Sequence, residues 1–228
     1  MDTDFDEKTG KDEEHFSLKR ITVRFFGLVL SLAMMISCSS AGHIFASDNL
    51  AAIGEKSFAK ISEAIAAAGE NDTVKLLPRA DGSPTRGCYT VLGKKNITID
   101  LNKATIEYRG ENNYLLKIEN SSVTIKNGTL NLQNAGSAVA VSGNSNVTFE
   151  NVTIKTSGRG VFVQSTGDTY IKVNSDTVIA SEKPSFYFGS EDASENITLD
   201  IFGKINSAMT AIYNISKGKV KINLHGGS

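Results

Sequence analysis

Val123-Thr124-Ile125-Lys126-Asn127-Gly128 and its near copy Val147-Thr148-Phe149-Glu150-Asn151-Val152 decide the fold. Each opens on an apolar-polar-apolar triplet, the period-2 signature of a strand with one buried face. The triplet occurs six times, as Ile97-Thr98-Ile99, Val123-Thr124-Ile125, Val147-Thr148-Phe149, Ile171-Lys172-Val173, Ile197-Thr198-Leu199 and Val220-Lys221-Ile222. The steps between copies are 26, 24, 24, 26 and 23 residues. A fixed period in the twenties marks a solenoid, in which no coil buries its apolar face alone and stacked neighbours supply the core.

Two further strand segments fall in each period. The second includes Ala104/Ile106, Leu130/Leu132, Val152/Ile154 and Val178/Ala180. The third includes Leu116/Ile118, Val139/Val141, Val161/Val163, Phe186/Phe188 and Tyr213/Ile215. Turn residues separate them. The pattern predicts an all-β chain: a right-handed parallel β-helix with three strands per coil, running from Thr73 to Leu224. Val147, Phe149, Val161 and Val163 are expected in its core. Asn127 and Asn151 each sit two residues after a triplet, where a sharp corner needs the left-handed conformation that Asn tolerates. Stacked amides there would bond in a ladder.

Ahead of the repeats, Phe58, Ile61, Ile65 and Ala68 form one apolar stripe of a helix. A short capping helix is expected over Ser57–Ala68, with Ser57 as its N-cap and Gly69 closing it. The predicted organisation is a leader over 1–46, a helical N-terminal cap over 47–72, and the β-helix over 73–228. The sequence stops just inside a new coil, which reads as a truncated C-terminus with Val220, Ile222 and Leu224 on a bare edge.

Within the leader, Lys19, Arg20 and Arg24 precede an apolar run from Phe25 to Ile36, which fits a secretory signal and is too short to span a bilayer. Cleavage could follow Ala41 or Ala46. Alternatively, Met35-Ile36-Ser37-Cys38 is a degenerate lipobox in which Cys38 would be acylated. Acidic residues dominate 1–18 and make an unusually long extension. Beyond Ser47 the basic and acidic residues nearly balance, so no electrostatic footprint for nucleic acid exists. Cys88 is the one cysteine left in the body, and no Cys/His spacing suits zinc. No cofactor or metal is expected.

The stretch Ile53-Gly54-Glu55-Lys56-Ser57-Phe58, then Glu63-Ala64-Ile65-Ala66-Ala67-Ala68 and Asp72-Thr73-Val74-Lys75-Leu76-Leu77, followed by Ile97-Thr98-Ile99-Asp100-Leu101, resembles the N-terminal cap and first coils of bacterial pectin-lyase-like β-helix proteins. That fold includes polysaccharide lyases, adhesins and autotransporter passenger segments. The resemblance covers roughly residues 53–224. It implies an exported protein of a Gram-negative bacterium, on the cell surface or secreted, with an adhesive role in virulence. A host-cell or matrix protein or a glycan would be its partner. The outer membrane would be reached only through a C-terminal barrel absent from this sequence, or through Cys38. Fold alone does not fix activity, so a secreted lyase or glycoside hydrolase and an inactive remnant stay as alternatives.

The residue after each triplet is expected to form one outer column, Asp100, Lys126, Glu150, Asn174, Asp200 and Asn223. Asp100 and Glu150 are weak catalytic candidates. Two coils separate them by roughly 9–10 Å, at the limit used by inverting glycosidases, yet Lys126 between them reads as a charge ladder. Pectate lyases of this fold use acidic Ca²⁺ ligands and an arginine base; that set has no counterpart here, and Arg159, in Ser157-Gly158-Arg159-Gly160, is a weak candidate for the base and more often a solvated loop residue. His15 and His43 lie in the leader and His225 in an expected frayed end, which argues against a Ser-His-Asp triad. The eight N-x-S/T sequons, at Asn71, Asn96, Asn120, Asn127, Asn146, Asn151, Asn196 and Asn214, follow from a repeat that sets a turn Asn before a strand Thr. The outward column of the third strands reads Lys117, Ala140, Phe162, Tyr187 and Asn214. Phe162 and Tyr187 would be exposed neighbours able to dock sugars or a protein.

Overall fold

A computed structural model of the protein describes residues 49–164, 167–189 and 195–226. The expected leader, including Cys38, Ala41 and Ala46, lies outside the described residues. Those described all belong to one compact unit, Asp48–Ser228.

The chain is a parallel β-solenoid of about six coils. An N-terminal cap holds β1 (Ala51–Ile53), β2 (Lys56–Phe58) and α1 (Ile61–Ala67). Coil one is β3 (Thr73–Leu76), β4 (Thr85–Arg86) and β5 (Tyr89–Leu92). Coil two is β6 (Ile97–Asp100), β7 (Thr105–Tyr108) and β8 (Tyr114–Glu119). In coils three and four the first two segments run together, as β9 (Ser122–Leu132) with β10 (Ser137–Ser142), and β11 (Ser145–Thr156) with β12 (Arg159–Val163). Coil five is β13 (Thr169–Val173), β14 (Val178–Ser181) and β15 (Phe186–Phe188). Coil six is β16 (Asn196–Ile201), β17 (Lys204–Ser207) and β18 (Ile212–Asn214), and β19 (Lys219–Leu224) starts another. Among β3 to β19 every pairing is parallel, each strand with its counterpart one coil away.

The inward residues stack like on like. Val123, Val147 and Ile171 form one column, and Ile125, Phe149 and Val173 the next. Val147, Phe149, Val161 and Val163 are each fully buried, as the alternation predicts. The corners follow from asparagine. Asn127 (φ 59°) and Asn151 (φ 51°) are left-handed, and Asn151 Nδ2 donates to Asn127 Oδ1 at 3.2 Å. Asn127 Nδ2 in turn donates to Asp100 Oδ1 at 3.1 Å. Gly128 follows Asn127 where no side chain fits, since a Cβ would sit 2.5 Å from Leu101 Cβ and 2.6 Å from the Ala104 carbonyl oxygen. A second polar column climbs another corner. There the backbone N–H of Asn144 donates to Asn120 Oδ1, and that of Asp168 to Asn144 Oδ1. Five of the eight sequon asparagines (Asn71, Asn96, Asn120, Asn127, Asn151) have positive φ, which ties the sequons to corner geometry.

The cap differs from the expectation. Its helix begins at Ile61, not Ser57, because residues 51–58 form a hairpin whose tight turn uses Gly54 at φ 55°. Phe58 therefore lies on β2. The buried stripe is Ile61, Ala64, Ile65 and Ala68, and no side chain caps the N-terminus. Gly69 does not close the helix either. Its last residue is followed by Ala68 in extended conformation, and Lys94 Nζ donates to the carbonyls of Ala66 (2.8 Å) and Ala68 (2.7 Å). These are carbonyls that a helix end leaves without partners. β1 runs antiparallel to β3 and covers the outer edge of coil one. At the other end β19 pairs with β16 alone among the described residues, leaving Ile222 38% and Leu224 72% exposed.

Two strand faces also differ. Ile179, not Val178 and Ala180, points inward on β14, and on β18 Ile212 stacks on Phe186 while Tyr213 faces out. Both segments are unbroken runs of apolar residues, so alternation could not choose the face, and a one-residue slip exchanges the two. The triplet register slips too. Ile171 lies opposite Leu199 rather than Ile197, because the connection after β15 is longer than its counterpart after β12. A two-residue offset keeps every side chain on its own face, so the triplet pattern is blind to it.

Candidate functional site

The third strands form one parallel sheet, β5-β8-β10-β12-β15-β18. On its outer face Thr90, Lys117, Ala140, Phe162, Tyr187 and Tyr213 lie in one row. Tyr213, not Asn214, continues the aromatic row, a consequence of the slip on β18. The rings form a ladder across coils four to six. Phe162 and Tyr187 meet edge to face with centroids 5.4 Å apart, and Tyr187 and Tyr213 are tilted by 30° at 5.3 Å. Phe162 and Tyr187 are half-buried, and Tyr213 is 45% exposed. The lower rings have room because residue 189 is glycine: a Cβ there would lie 2.8 Å from Tyr187 Cε1 and 3.1 Å from Phe162 Cε2.

Arg159 belongs to this ladder. It is the first residue of β12, not a loop residue, and its backbone N–H donates to the Gly136 carbonyl. Its guanidinium lies 4.6 Å from the Tyr187 centroid and 5.6 Å from that of Phe162. At these distances the cation is attracted to the ring faces. The structure thus brings together Arg159, Phe162 and Tyr187, which the sequence reading treated as separate features.

Asp100 and Glu150 lie elsewhere, on the face of the first strands. The row there runs Lys75, Asp100, Lys126, Glu150, alternating in charge. Asp100 Oδ1 is engaged by the backbone N–H of Asn102 (2.9 Å) and by Asn127 Nδ2. Lys126 separates the two carboxylates, and Arg159 is on a different sheet, so the three catalytic candidates do not converge. Asp200 and Asn223 leave this row, because the register slip sets Asp200 opposite Lys172 and Asn223 opposite Asp200.

Asp200 instead organises a second cluster. It accepts from Tyr170 Oη (2.6 Å) and Asn223 Nδ2 (2.6 Å), with His225 Nε2 at 3.3 Å. The Tyr170 bond, first, and the Asn223 bond hold its carboxyl down to about 2. The same carboxylate pushes the Tyr170 phenol up to about 12. His225 is not frayed. Its N–H donates to the Ile201 carbonyl, and its ring stacks on Phe202 at 4.1 Å. The hydroxyl of this cluster donates to the carboxylate rather than resting on the imidazole, so no activated nucleophile is formed. An open polar groove of about 800 Å³ also runs beside the second strands, with Lys155 and Glu182 among its walls. Sequence reading had not anticipated it. Among the described residues no group of three His, Cys, Asp or Glu side chains could hold a metal ion, and no helix is long and apolar enough to cross a membrane.

The fold defines a parallel β-solenoid protein with a capped N-terminal end. Comparison with known family models, curated proteins and solved structures found no match.

Proposed function

We propose that this is an exported binding protein, adhesive in role and most like an autotransporter passenger segment of the pectin-lyase-like kind. Its contact surface is the ladder of Phe162, Tyr187 and Tyr213 with Arg159. The single observation that carries this reading is the row of three aromatic rings left on the outer face of one sheet across three consecutive coils. Exposed contiguous apolar surface marks a contact site. The stacked coils supply a rigid scaffold, so the rings are held in place before a partner arrives and less ordering entropy opposes binding. The partner is a host-cell or matrix protein or a glycan. Export rests on the apolar run Phe25–Ile36 behind basic residues.

The test uses beads coated with the full chain on a panel of immobilised matrix proteins and glycans. At least one surface should retain them, and Phe162→Ala with Tyr187→Ala should release them while the circular dichroism spectrum is unchanged. Equal retention by the variant, or retention by no surface, contradicts the reading.

A further inference from the structure

We infer that the ladder takes an acidic segment of a protein partner, with a carboxylate seated on Arg159. This rests on the binding reading above and names the chemistry of its partner. Guanidinium is a planar fork of N–H donors whose geometry matches a carboxylate. In this protein Arg109 pairs with Glu107, and Arg79 with Asp81. Arg159 has no such partner: among the described residues no carboxylate lies within ion-pair distance, and its side-chain N–H groups donate to none of them. Its attraction to the Tyr187 and Phe162 rings holds the cation at this place on the outer face. Among the described residues the group is a charged one without a carboxylate partner.

The ring geometry chooses between protein and sugar. A sugar stacks on a free, flat aromatic face. Here the guanidinium covers Tyr187, and the ring planes differ by 65° and 30° along the row, so no continuous flat platform exists. Tilted aromatic rings with a buttressed arginine are the composition of a protein-protein hot spot. Beyond Tyr187 the surface continues as Tyr213 and Ile215, 45% and 51% exposed, which suits an apolar side chain. Tyr213 lies one coil beyond Tyr187, so the preferred segment carries an acidic residue for Arg159 with an apolar residue close to it in sequence, and runs along the coil axis.

The probe is a fluorescein-labelled peptide of repeating Glu-Ser-Leu-Ser, with Gln-Ser-Leu-Ser as its neutral counterpart, titrated with the full chain and read by anisotropy. Heparin serves as the anionic glycan arm. The acidic peptide should bind, the neutral one about tenfold or more weakly, and added salt should weaken the acidic one. Arg159→Gln should remove the preference, whereas Lys172→Gln, a charge change on another face, should leave it. Equal binding of both peptides, binding of neither, or no effect of Arg159→Gln overturns the inference. Heparin binding lost in Arg159→Gln, without peptide binding, assigns the site to a glycan and overturns it too. If bead retention needs Tyr187 but not Arg159, the acidic partner fails and the ladder reading stands. If it needs neither, both fail.

Discussion

The guanidinium of Arg159 lies 4.6 Å from the ring centroid of Tyr187, a residue 28 positions later and one coil further along. The contact joins two coils across the outside of a sheet whose inside is filled by Val161 and Phe186. Core and surface on these strands therefore answer to different demands, and substitutions should separate them.

Phe149→Ala removes a fully buried ring from the inward column and should lower stability by about 3–5 kcal/mol, a large share of the ordinary margin of a domain. Tyr187→Ala removes one outward ring and should cost about 1 kcal/mol. Urea midpoints of the two variants, measured side by side, check the contrast. Similar losses would mean that the outer ladder is structural.

Gly128→Ala should be destabilising by about 1–3 kcal/mol, although it adds a single methyl group. The new carbon would meet Leu101 Cβ at 2.5 Å and the Ala104 carbonyl oxygen at 2.6 Å. The second is backbone and cannot swing aside. Thermal melting compared with Gly69→Ala, where the new carbon would meet nothing closer than 3.4 Å, tells a packing clash from a general loss of chain flexibility.

Stability should fall at both extremes of pH through one pair. Asp200 is held at about 2 against an ordinary 3.8, chiefly by the Tyr170 hydroxyl. A depressed carboxyl stabilises the folded state above pH 3.8, and that contribution is lost as pH drops from 3.8 towards 2. Tyr170 is raised to about 12 from 10.0, chiefly by its bond to Asp200. Its contribution is present below pH 10 and lost as pH rises towards 12. Tyr170→Phe should flatten the alkaline limb of a urea-midpoint profile and shrink the acid one. An unchanged alkaline limb would mean that the bond is not made in solution.

The legible part of this molecule was the part with alternation. Thr and Lys between Val, Ile and Phe fixed the inward faces of β6, β9, β11 and β13, and Asn127 and Asn151 fixed the corner after their triplets. Where apolar residues run together, as in Val178-Ile179-Ala180 and Ile212-Tyr213, the face was set by stacking on the neighbouring coil instead. The hairpin of β1 and β2 was hidden because Phe58 falls in helical register with Ile61 and Ile65 although it lies on β2. The pair Phe162 and Tyr187 was legible from one correct register. Arg159 was missed because a glycine-flanked arginine reads as loop, and its place over the rings depends on where two coils put three side chains.

No cleavage of polygalacturonate is expected, with or without Ca²⁺. Asp100 and Glu150 are held apart by Lys126, and Arg159 lies on another sheet, engaged by aromatic rings. An ultraviolet assay for unsaturated product checks this. Activity that disappears in Asp100→Asn or Arg159→Gln would reverse it.

The most direct measurement is the set of ring-to-ring nuclear Overhauser effects among Phe162, Tyr187 and Tyr213 in the full chain. The parallel stack with its outward ladder predicts contacts from Phe162 to Tyr187 and from Tyr187 to Tyr213, at centroid separations of 5.4 and 5.3 Å, and none from Phe162 to Phe149. Absence of the Tyr187–Tyr213 contact, or Tyr213 protons close to the inward Phe186 ring, would place the last coil in the other register. The aromatic surface on which the binding reading stands would then be gone.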